Sequence, residues 1–120
     1  MADTLVVKAT SGMDAPERCN QAFTIAAAAA AAGITVELWL TGEASWFAIP
    51  GRAEEFTLEH APPLAELLRA ILESGSVTLC TQCAARRGID ADDLVPGIRI
   101  AGAAAFVESV MREDVRSLIY

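Results

Sequence analysis

The residues best equipped for chemistry stand together in one short segment, Cys80-Thr81-Gln82-Cys83-Ala84-Ala85-Arg86-Arg87-Gly88. A cysteine attacks only as its thiolate, so what surrounds the sulfur decides whether it reacts. Val77-Thr78-Leu79 reads as a strand and Thr81 to about Arg87 as a helix, which puts Cys80 at the junction between them. At such a junction the unpaired backbone N–H groups and the helix dipole favour a thiolate. Cys83 follows one turn later, and spacings of three and four predict that Cys80, Cys83 and Arg87 share a helix face, with the guanidinium adding positive charge. Two thiols at this spacing can also close a disulfide in one step, one attacking and one resolving. The same pair would suit reduction of a peroxide. The bland alternative is that both cysteines are small core side chains.

The elements that must position this segment follow from the pattern of apolar runs and breakers. Leu5-Val6-Val7 predicts a first strand, broken by Ser11-Gly12-Met13-Asp14. Asp14 stands three residues before Glu17, with Pro16 between them, which predicts a helix capped by Asp14 that runs to about Ala32 and stops at Gly33. The alanine tract Ala26–Ala32 is read as structural, a helix surface that permits close approach to a sheet. Ile34–Leu40 predicts the second strand, Glu43–Ile49 a helical turn, and Pro62–Ser74 an amphipathic helix carrying Leu64, Leu67, Leu68, Ile71 and Leu72 on one face. Ile98–Ile100 predicts a fourth strand, Ala103–Arg112 a helix and Val115–Tyr120 a last strand.

Strands alternating with helices, without a repeat or linker, predict one α/β domain over residues 1–120, a mainly parallel five-stranded sheet flanked by helices. In such sheets ligands gather at the carboxyl ends of the strands, near the topological switch point. There the 11–16 loop, the 41–46 loop and the Cys80–Cys83 segment are expected to meet. Asp14 is read first as a cap, and Trp46 and Phe47 either as a pocket wall or as packing. Cys19 is read as core, and His60 as solvated in a polar loop. Zinc would need Cys19 and His60 to complete a ligand set with the cysteine pair. No second CxxC or His-x-His spacing accompanies them, so no metal is expected. A thioredoxin arrangement is disfavoured because the motif lies two thirds along the chain, with no Trp before it and no Gly-Pro inside it.

Composition narrows the function classes. The 120 residues are 53% hydrophobic, and 9 Lys+Arg against 16 Asp+Glu give a formal charge of -7. That charge repels phosphate backbones and anionic membrane surfaces, so direct nucleic-acid binding is not expected. The longest apolar stretch, Ala22–Val36, is rich in alanine and interrupted by Thr24, Gly33 and Thr35, short of the roughly 20 strongly apolar residues of a membrane span. Met1-Ala2-Asp3-Thr4 does not resemble a secretion signal, and a cytoplasmic location with reduced thiols is expected. No Gly-rich phosphate loop or dinucleotide fingerprint occurs, so no cofactor is expected.

The chain resembles the DsrE/DsrF-like family, which includes sulfur-relay subunits of tRNA thiolation and of dissimilatory sulfur oxidation. The likeness lies in Val6–Arg18, in Val36–Glu43, in the Cys-x-x-Cys-x-x-x-Arg-Gly of residues 80–88 and in Leu94–Ala103. It implies a three-layer, flavodoxin-like sheet and assembly into homotrimers or homohexamers. It also implies, as in the relay subunits, a persulfide carried on Cys80; those subunits have a single cysteine at this loop, so Cys83 marks a two-cysteine branch in which the pair's own chemistry makes it a possible resolving thiol. Gly12, Asp14, Trp46 and Arg87 become auxiliary residues around the cysteines, and the partners become sulfur donor and acceptor proteins or small thiols. Two other readings stay open beside the sulfurtransferase-like carrier: a non-catalytic oligomeric adaptor, and a thiol-disulfide or peroxidase-type redox protein.

Overall fold

The computed structural model describes residues 3–120. Met1 and Ala2, part of the segment read above for a secretion signal, lie outside the described residues. The elements run β1 (Thr4–Ala9), α1 (Pro16–Ala31), β2 (Thr35–Leu40), α2 (Leu64–Ser74), β3 (Ser76–Cys80), α3 (Thr81–Arg86), β4 (Ile98–Ala101), α4 (Ala103–Val110) and β5 (Val115–Ile119). Short 3-10 segments at Gly42–Ala48, Ala53–Glu55 and Ala91–Asp93 fill the longer connections. The sheet order is β4-β3-β2-β1-β5 and every neighbouring pair is parallel, a stricter arrangement than the mainly parallel sheet expected.

Side-chain alternation gives the sheet two unlike faces. On the first, Val7, Ala9, Val36, Leu38, Leu40, Val77 and Leu79 are fully buried against α1 and α2. Helix α1 presents Cys19, Ala22, Phe23, Ala26 and Ala29 at helical spacing, so its alanines bring the backbone close to the strands. Helix α2 adds Leu64, Leu68 and Ile71, each worth roughly 1.5–3 kcal/mol when taken out of water. Phe23, Phe47 and Phe56 extend this core by edge-to-face contacts with centroids 6.0 and 5.8 Å apart, tying the Gly42–Ala48 segment to α1. The second face carries Lys8, Glu37, Trp39, Thr78, Cys80 and Arg99, as the strand register requires. Phe106 of α4 packs edge-on against Trp39 there, at 5.3 Å.

Two local expectations are corrected. Helix α1 begins at Pro16 after Ala15, with no side-chain cap; Asp14 instead accepts the Gly12 N–H at 2.8 Å and closes the loop before the helix. A short oxygen acceptor can satisfy either kind of orphan donor, and here the loop wins. The turn after β2 is a 3-10 segment that starts one residue earlier than expected, at Gly42. The crevice between β1 and β5, where strand order reverses, is bridged by Thr10, whose N–H and hydroxyl both donate to the Tyr120 carbonyl at 3.1 and 2.6 Å. The cysteines therefore sit at the carboxyl edge of the sheet but at β3, beyond β2 from that crevice.

Candidate functional site

Cys80 is the last residue of β3 and the N-cap of α3, half-buried, with extended backbone. Cys83 is buried in the first turn of α3, and all three cysteines of the chain are free thiols. No side chain caps α3 with a hydrogen bond, which leaves its first N–H groups to the sulfur as weak electrostatic donors. Burial pushes the Cys80 thiol up, but the Cys83 N–H, the Cys83 thiol, the Gln82 N–H and the charge of Lys8 outweigh it. The balance holds Cys80 below the ordinary cysteine value, which favours the nucleophilic thiolate.

Cys83 is fixed from the opposite side. The Gly42 N–H donates to its sulfur at 3.3 Å, bringing the end of β2 onto α3. That approach needs glycine. Gly42 has φ 52°, and a Cβ there would lie 2.4 Å from the Thr10 carbonyl oxygen. A Cβ on Gly12 would lie 2.6 Å from the Glu43 carbonyl oxygen, so the β1 and β2 loops cross at a distance only glycine allows.

Arg87 has a different role from the expected one. Its Nε and Nη2 donate to Glu43 Oε2 at 3.2 and 2.8 Å, and its Nη1 donates to the Cys83 carbonyl at 3.2 Å. Its charge is thus spent on a carboxylate and on the backbone of α3, and the positive charge that lowers the Cys80 pKa is that of Lys8. Arg87 locks the α3 C-terminus onto the β2 loop. Two guanidiniums lie over the Trp46 ring, Arg52 at 4.7 Å and Arg87 at 6.0 Å from its centroid. It shares a cleft of about 200 Å³ with Met13, Glu43, Phe47, Arg52 and Glu55.

The structure therefore joins Cys80 to Cys83, and Cys83 to Arg87, Glu43 and Gly42. Gly12 and Asp14 form the loop leaning on Glu43, and Trp46 packs over Arg87. Cys19 lies apart on α1; burial and the nearby Asp14 charge push its thiol up to about 12. His60 is exposed, and among the described residues no three metal-ligating side chains converge. Sequence reasoning missed Lys8 as a member of the site. A lone lysine between Val7 and Ala9, in a strand buried on both sides, was the available signal.

Comparison with known proteins agrees with this architecture. The E. coli ychN protein has the same fold over 100% of both chains, with a TM-score of 0.81 at 19% identity. Protein BT1422 of Bacteroides thetaiotaomicron, of unknown function, matches with a TM-score of 0.64 at 16% identity, covering 98% of this chain and 95% of its own. The uncharacterised protein MJ0760 of Methanocaldococcus jannaschii is 28% identical over 115 residues, which is 95% of this chain and 42% of that protein. This chain thus spans less than half of that relative's length. The sequence model of the DsrE/DsrF-like family matches residues 4–115, and the chain belongs to that family.

Proposed function

We propose that this protein is a sulfurtransferase-like sulfur carrier that accepts a sulfane sulfur on Cys80 and holds it as a persulfide. The observation that carries the reading is the place of Cys80 at the N-cap of α3, where the Cys83 and Gln82 N–H groups and the Cys83 thiol act on its sulfur and favour the thiolate. The Cys80 thiolate attacks the donor's sulfane sulfur, a new S–S bond forms, and the donor's former partner leaves with the electron pair. The persulfide then has two exits. An acceptor thiolate takes its outer sulfur and returns Cys80 to the thiolate. Alternatively Cys83, as thiolate, attacks the inner sulfur, leaving a Cys80–Cys83 disulfide and hydrosulfide; a small dithiol must reduce that disulfide before the next cycle. Donor and acceptor are sulfur-relay proteins or small thiols, in a reducing, cytoplasmic setting.

The test loads the reduced protein from a sulfane-sulfur donor and weighs it intact. Gain of one sulfur, abolished in Cys80→Ser and longer-lived in Cys83→Ser, is the expected result. No adduct on any variant favours an adaptor. Peroxide consumption coupled to the disulfide, without sulfur gain, favours a peroxidase.

We also propose a homotrimer or homohexamer. Val107 and Met111, on and just after α4, and Ile119 on the same side of edge strand β5 are 54%, 74% and 63% exposed, apolar groups suited to contact with another copy. Light scattering should find three or six copies; a monomer at every concentration would sink this part of the proposal.

A further inference from the structure

On the second face of the sheet, one row of side chains crosses four strands in register: Lys8 on β1, Trp39 on β2, Thr78 on β3 and Arg99 on β4. Cys80 stands on the same face, one step further toward the carboxyl edge of β3. Every member of the row can donate a hydrogen bond. Lys8, the only lysine in the chain, is half-buried with its Nζ 5.1 Å from the Phe106 ring centroid, and among the described residues no carboxylate pairs with it. Trp39 is 2% exposed, and its buried Nε1–H has no hydrogen-bond partner among the described residues. The Arg99 Nε donates to the Thr78 hydroxyl at 3.1 Å, and among the described residues its other N–H groups have no side-chain partner.

The strand carboxylate on this face is Glu37, one step behind Trp39 toward the start of β2; its Oε2 takes the Arg112 guanidinium at 2.6 Å, and its Oε1 is buried without a partner among the described residues. Against a net charge of -7, an ammonium without a carboxylate partner and an unmet buried N–H, on the same face as the Cys80 thiol, favour an anion locally.

We infer that the Lys8–Trp39 row is an anion subsite that selects, for Cys80, sulfane-sulfur donors carrying an oxyanion, of which thiosulfate is the simplest. This rests on the carrier reading above. The Cys80 thiolate attacks the outer sulfur of thiosulfate and the S–S bond of the donor breaks. Sulfite leaves as its dianion with the electron pair, and Cys80 keeps one sulfur as persulfide anion. Atoms and charge balance without a further oxidant. Lys8 and the Trp39 N–H hold the oxyanion before the reaction and the sulfite as it leaves. Lys8 and Trp39 are positioning residues, since neither exchanges a bond.

The test separates charge selection from sulfur transfer. Alkylation of Cys80 by iodoacetate and by iodoacetamide differs in the charge of the reagent and little in its size. In Lys8→Met, which keeps the apolar stem on Phe106, the iodoacetate-to-iodoacetamide rate ratio should fall about tenfold, with Lys8→Arg restoring it. Sulfur loading from thiosulfate, followed by intact mass, should fall in parallel, and Trp39→Phe should lower it by a smaller factor. An unchanged ratio and unchanged thiosulfate loading in Lys8→Met overturn the inference. A wild type that keeps the lysine-dependent ratio but gains no sulfur from any donor overturns the carrier reading and, with it, the donor class, while the anion subsite stands.

Discussion

The two faces of one sheet put the same side chain to opposite uses. On the first face, beneath α1 and α2, Cys19 is 1% exposed among alanines and Phe23, and burial drives its thiol up to about 12. On the second, Cys80 is half-buried at a helix start with a cation, backbone donors and another thiol around it, and its thiol is lowered. Burial opposes ionisation at both sulfurs; only at Cys80 does the backbone supply donors to outweigh it. Over β1, β2 and β3 the first face is closed by two helices and apolar, whereas α4 covers only part of the second and leaves polar residues in its strands. The division teaches that stability and reactivity are carried by different sides of the same strands.

The largest effect tests that division directly. Phe23 is fully buried and meets Phe47, so Phe23→Ala should cost about 3–5 kcal/mol in urea unfolding. Phe106 is only partly covered, and Phe106→Ala should cost about 1–2 kcal/mol while altering Cys80 alkylation, which Phe23→Ala leaves alone in the folded state. Equal stability losses would break the contrast between a structural and a functional face.

Next in size is the alkaline limit set by Cys19. Its folded value of about 12 lies above the ordinary 9.0, so folding favours the neutral thiol. The contribution is fully present below pH 9 and is lost as the pH rises from 9.0 toward 12, by a few kcal/mol in all. Cys19→Ala should flatten the fall in stability over that window, measured by urea midpoints at successive pH values. The same slope in variant and wild type would mean that Cys19 is not the group that titrates.

Much of the first face was legible in the sequence because its signals are local. Apolar runs at Leu5-Val6-Val7 and Val77-Thr78-Leu79, helical spacing in α2 and the stop at Gly33 placed the elements to within a few residues. The Cys80–Cys83 segment was legible for the same reason, since strand, junction and turn are contiguous. What failed depends on distant chain crossings. Glu43, 44 positions from Arg87, takes the guanidinium that spacing alone had assigned to the thiolate. Asp14 had two donors within reach, and the close crossing of the Gly12 loop over Glu43 favours the loop. Lys8 joins Cys80 only through the register of three strands, which no local period encodes.

The smallest effect probes how the two thiols share one environment. The Cys83 thiol helps to lower Cys80, and Cys83 is in turn held by the Gly42 N–H. Cys83→Ala removes one donor from the Cys80 sulfur, so the folded thiol value of Cys80 must rise. The pH profile of Cys80 alkylation should therefore shift to higher pH, and the rate near neutrality should drop by a factor of roughly five, the size of one modest hydrogen bond to an anion. Lys8 and the α3 N–H groups remain, so part of the activation survives. Complete loss would mean that Cys83 alone activates Cys80 and that the helix start contributes nothing. No change would mean that the second thiol serves only as resolving partner, and the backbone donors with Lys8 would then account for the whole difference between Cys80 and Cys19.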